Sequence, residues 1–66
     1  MCRNIKKLRF PDRGPEDEEL EQAALQFVRK VTGYRKPSKA NEEAFAAAVA
    51  RIAAVTRTLF DDLAIR

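Results

Sequence analysis

The stretch FAAAVARIAAVTRTLFDDL, Phe45 to Leu63, decides the fold. An α-helix advances 100° per residue. On that geometry Phe45, Val49, Ile52, Thr56, Leu59, Phe60 and Leu63 share one face, flanked by Ala48 and Val55. This is the strongest periodic signal in the chain, and it predicts an amphipathic helix. Thr56 is the polar member of the stripe; bonding its hydroxyl to the carbonyl one turn earlier makes burial tolerable. Pro37-Ser38 opens the helix, with Ser38 as the expected N-cap and Asn41 as the alternative. The predicted span is 38–63, roughly 37 Å long.

Upstream, Gly14-Pro15 followed by Glu16, Asp17, Glu18 and Glu19 predicts a first helix over 15–32. Proline suits the first helical position, and the carboxylates face the positive end of the helix dipole. Leu20, Ala23, Ala24, Phe27 and Val31 form its apolar stripe. Arg29 and Lys30 suit its C-terminal turn, and Gly33 supplies a left-handed stop. A short basic loop over 33–37 makes the two helices antiparallel neighbours. Residues 1–14 form a basic N-terminal arm and turn, with Ile5, Leu8 and Phe10 as its apolar members. The expected fold is therefore all-α: an antiparallel two-helix hairpin crossed by a short arm. The longer second helix needs a further cover, supplied by the arm or by a second copy in a four-helix arrangement.

Leu25 and Val28 fall outside the first helix's stripe and form a smaller apolar face. They are expected to take either the folded-back arm or a partner. Alanine shoulders on the second helix (Ala46, Ala47, Ala50, Ala54) also permit close approach.

The chain has 66 residues, one cysteine and no histidine, so neither an internal disulfide nor a structural zinc site is expected. A chain this short needs well-packed helices or association to be stable. No apolar run approaches the roughly 20 residues of a membrane span, and the start lacks the apolar stretch of a secretory signal. The cytoplasm is the expected location, in keeping with a lone thiol.

Net charge is only +3, yet it is unevenly placed. Arg29, Lys30, Arg35, Lys36 and Lys39 surround the loop, whereas Glu16–Glu21, Asp61 and Asp62 lie at the open end. The loop cations, the Ser38 hydroxyl and free N–H groups at the second helix start make a candidate anion site. Phosphate points to nucleic acid, with Tyr34 placed to stack on a base. Arg3, Lys6 and Lys7 of the arm either extend that surface or neutralise the acidic end.

No catalytic residue is assigned. The commonest acid–base side chain is missing, and no nucleophile–base pair has a recognisable spacing. No metal, cofactor or small-molecule ligand is expected. Cys2 is a candidate reactive thiol, since Arg3, Lys6 and Lys7 favour its thiolate.

The opening Met1-Cys-Arg-Asn-Ile-Lys6, the segment Ala23–Gly33 and the stretch Lys36–Asn41 resemble a family of short bacterial proteins catalogued as a domain of unknown function. The resemblance spans nearly the whole chain. It implies a small cytoplasmic bacterial protein and brings no activity, ligand or site residue. The residues themselves favour a non-catalytic helical module that binds a protein partner or itself. Nucleic-acid or ribonucleoprotein binding through 29–39 and the arm is the alternative, and a thiol-dependent role of Cys2 is third.

Overall fold

A computed structural model describes residues 5–63. Helix α1 spans Asp17–Thr32, a single 3-10 turn spans Lys39–Asn41, and helix α2 spans Glu42–Asp62. No strand occurs among the described residues. The architecture is the expected all-α hairpin. Arg57, near the end of α2, donates from Nη2 to the Pro15 carbonyl (2.9 Å) and to Asp17 Oδ1 (2.7 Å). That clip ties the last turns of α2 to the first turn of α1 and makes the pair antiparallel.

Both helix starts differ from the sequence expectation. α1 begins two residues after Pro15 because Glu16, not Gly14, is its N-cap. The Glu16 N–H donates to Glu19 Oε1 at 2.8 Å, which satisfies one of the free donors of a helix start. At α2, Ser38 precedes only the 3-10 turn, and Asn41, the alternative expected, holds the N-cap position of the α-helical turns. The Ser38 hydroxyl accepts from Asn41 Nδ2 (3.1 Å), so neither side chain caps a helix N–H. The α1 stop is as expected: Gly33 adopts φ 79° and its N–H reaches the Arg29 carbonyl at 2.9 Å. Thr56 donates to the Ile52 carbonyl (2.6 Å), also as expected.

The packing face of α1 is rotated from its predicted centre. Leu20, Ala24 and Val28 form the buried ridge, at 2%, 2% and 5% exposure, while Phe27 and Val31 stand exposed at 44% and 63%. These three residues follow one another every fourth position, the ridge that runs closest to the helix axis. Alanine stands at its middle, and on α2 Ala53 is partly covered while Ala50 is exposed at the edge of the seam. Leu20, Asp17 and Glu21 meet Ala50, Ala53, Ala54 and Arg57 along one side of the seam. Of the predicted α2 stripe, Phe45, Val49, Ile52, Thr56 and Phe60 are partly covered while Leu59 and Leu63 are exposed, and no residue of α2 is fully buried.

The arm is held at the open end. Leu8 is buried and shares a recess with Glu18, Glu19, Gln22, Ala23 and Gln26, so it lies on the flank of α1 away from α2. Arg13 grips Glu19 with two bonds, Nη1 to Oε1 at 3.0 Å and Nη2 to Oε2 at 3.1 Å. Its guanidinium also stacks 4.2 Å from the Phe10 ring centre. The side-chain bond from Arg13, then the Glu16 N–H, hold the Glu19 carboxyl down from its usual 4.5 to about 2.

Two outcomes follow from this packing. Leu20→Ala costs about 2–5 kcal/mol in urea unfolding followed by circular dichroism. Leu25→Ala, at a half-exposed position, costs less than about 1.5 kcal/mol in the same experiment. Equal losses at the two sites would put the core on the wrong face. Because Glu19 binds its proton more weakly when folded, its contribution is complete above pH 4.5 and fades as pH falls towards about 2. Glu19→Gln keeps an acceptor for the Glu16 N–H and loses the charge. Its thermal midpoint therefore varies less with pH across that window than the wild type's, and parallel profiles would disprove the linkage.

Candidate functional site

The loop end is built by the stop of α1. Thr32 Oγ1 donates to the Val28 carbonyl (2.7 Å) and accepts the Tyr34 N–H (3.2 Å), so the hydroxyl bridges the last helical turn and the reversal. Gly33 turns the chain back, and Arg29 Nε then donates to the Arg35 carbonyl at 3.0 Å. The result is an open recess lined by Gln26, Arg29, Lys30, Gly33, Tyr34 and Arg35. Tyr34 is exposed beside these cations.

The structure thus gathers Arg29, Lys30, Tyr34 and Arg35. Lys36, Ser38 and Lys39 lie outside this recess, towards the 3-10 turn. Glu42 and Glu43 occupy the first turn of α2. They place carboxylates at the positive helix end that an anion would otherwise use, which weakens the expected site. Lys6 belongs to the recess under the arm with Glu18 and Glu19, and Lys7 is exposed. Cys2 and Arg3 lie outside the described residues.

The second candidate surface is apolar. Leu25 and Val28 do not form it: Val28 is buried in the helix seam, and Leu25 is only partly accessible beside it. The rotation of α1 that buried Val28 displaced other side chains outward. Phe27 and Val31 of α1 are exposed, as are Val55 (67%), Leu59 (52%) and Leu63 at the end of α2. At 100° per residue, Glu21, Ala50, Ala54 and Arg57 mark one side of the seam. Phe27, Val55 and Leu59 lie on the opposite side of both helices, with the partly covered Ala48 and Ile52 between them. Because the helices are antiparallel, these two exposed shoulders form one side of the hairpin.

Sequence reasoning placed Phe27, Val31, Val55, Leu59 and Leu63 in the core or at its edge and missed this surface. The signal that locates it is the alignment of small residues. Ala24 is buried on α1 and Ala53 is partly covered on α2, small residues on the facing sides, and the bulky Val55 and Leu59 are left beside that line. The Arg57 clip was also missed; its signal is an arginine placed by antiparallel register opposite the acidic start of α1.

Among the described residues, no group of three or more cysteine, aspartate or glutamate side chains converges to hold a metal ion. Glu19 is committed to Arg13 and the Glu16 N–H. No helix among the described residues is long and apolar enough to cross a membrane.

No curated protein and no solved structure matches the chain. The model of the family described as uncharacterized conserved protein (DUF2277) matches residues 1–66, and the chain belongs to that family.

Proposed function

We propose that the protein is a non-catalytic helical interaction module, acting in a reducing compartment, that docks a protein chain on the apolar side of its hairpin. The carrying observation is the exposed shoulder of Phe27, Val55 and Leu59, with Val31 and Leu63 also exposed at the hairpin's two ends, in a chain of 66 residues. Single exposed apolar residues are ordinary; a row on one side of two packed helices is the form that helix-in-groove or helix-on-helix recognition takes. The absence of histidine and the commitment of Glu19 to structural bonds support a binding role over a catalytic one. The lone cysteine supports the compartment.

Phosphate binding at the loop is the second reading, favoured by the gathering of Arg29, Lys30, Arg35 and Tyr34 around one recess. Glu42 and Glu43 at the start of α2 oppose it.

A capture experiment with the tagged full-length chain separates the two. Polypeptides retained from a cell lysate persist after nuclease treatment and between about 50 and 200 mM salt, because apolar docking releases few counterions. Val55→Glu/Leu59→Glu abolishes that retention, and Arg29→Ala/Arg35→Ala leaves it intact. Retention that disappears with nuclease or salt, and that fails in the arginine variant instead, would move the function to the loop.

A further inference from the structure

The apolar side of the hairpin has dimensions and charges that select its occupant. An ordinarily compact monomer of 66 residues exposes about 4,300 Å², whereas this chain exposes 5503 Å². The excess is spread over an elongated hairpin with extents of 44 × 23 × 15 Å, and the apolar side is part of it. Leu8, Leu20, Ala24 and Val28 are the buried hydrophobic residues among those described, and association is one of the common supplements to so small a core.

Charge identifies the partner and its direction. The loop end of the hairpin carries Arg29, Lys30, Arg35, Lys36 and Lys39 against Glu42 and Glu43, and the open end carries Glu16, Asp17, Glu18, Glu19, Glu21, Asp61 and Asp62 against Lys6, Lys7, Arg9, Arg13 and Arg57, so the first stays net basic and the second net acidic. A two-fold axis lying in the apolar face, perpendicular to the helices, sets the basic end of one copy over the acidic end of the other. Each helix then has only antiparallel neighbours, and Val55 and Ile52 fall near the axis. The alternative two-fold, along the helices, stacks basic loop on basic loop. A surface that is apolar at its middle and opposite in charge at its two ends is complementary to itself when reversed.

We propose that the partner on this face is a second copy of the chain, packed head to tail into an antiparallel four-helix bundle through Phe27, Val55 and Leu59, with Val31 and Leu63 at the ends of the contact. This rests on the interaction reading above and names its partner.

Sedimentation velocity on the purified full-length chain between about 5 and 200 μM tests it. The expected species has twice the chain mass. Val55→Glu/Leu59→Glu halves that mass while the helical circular dichroism persists, because both side chains are already exposed in a single hairpin. Val31→Glu, on the other helix, gives a second disruption should the double variant lose helicity. Ala50→Glu, on the opposite side of the seam, stays dimeric. A wild-type monomer at 200 μM, or a dimer indifferent to both face variants, overturns the proposal. Direction is read from spin labels on Lys36→Cys in a Cys2→Ser background. Head-to-tail packing separates the two loops by about one α2 length, roughly 30 Å, and a separation under about 20 Å overturns the assigned direction. A monomer that still captures a different protein through Val55 and Leu59 would refute self-pairing while leaving the interaction module standing. A monomer that captures nothing would remove both.

Discussion

The buried ridge Leu20–Ala24–Val28, set against the partly covered side of α2 that carries Val49, Ile52, Ala53 and Thr56, is the contact on which the rest of the structure depends. Val28 is buried in it, whereas Phe27 stands on its shoulder and Val31 beyond its last buried residue, both exposed. α2 is longer than α1 and meets a narrow ridge, so its own apolar stripe is half covered at best. The exposed side of the hairpin is thus a consequence of how the buried side is packed.

Polar contacts fix what the apolar ridge leaves free. A ridge of short aliphatic side chains permits sliding along the helix axis, and the Arg57 clip to Pro15 and Asp17 stops it. Arg13 performs the same office for the arm, since its bidentate grip on Glu19 sets the turn that lays Leu8 on α1. Ion pairs of this exposure contribute little stability each. Their value is in register and placement. The same charges leave the hairpin basic at its loop and acidic at its open end, a polarity that favours the helix dipoles within one chain and a reversed neighbour outside it.

Much of this was legible before the structure. The 100° periodicity of Phe45–Leu63, the left-handed stop at Gly33 and the short link between helices gave the all-α antiparallel hairpin. The Thr56 back-bond was legible because a hydroxyl on the covered side of a helix finds its acceptor in the carbonyls of the preceding turn. The helix starts were read less well: Glu16 and Glu19 supply a cap that looks, in sequence, like two more members of an acidic run. The α1 face was misplaced for a different reason. Periodicity reports which residues share a side, while the ridge used in packing depends on the residues across the seam, Ala53 among them. That is tertiary information, and Leu25, Val28, Phe27 and Val31 changed roles together because of it. The basic loop was legible as a cluster, but the gathering of Arg29, Lys30, Tyr34 and Arg35 without Lys36 and Lys39 follows from the Arg29–Arg35 backbone bond, which no spacing announces.

The central claim is that folding is completed by covering the side of the hairpin that the ridge leaves open. The thermal midpoint of the full-length chain, measured by circular dichroism over a hundredfold range of concentration, tests it most directly. Coupling of folding to association raises the midpoint by roughly 5 °C or more across that range. A midpoint independent of concentration would show that one hairpin is stable as it stands, and would contradict the account.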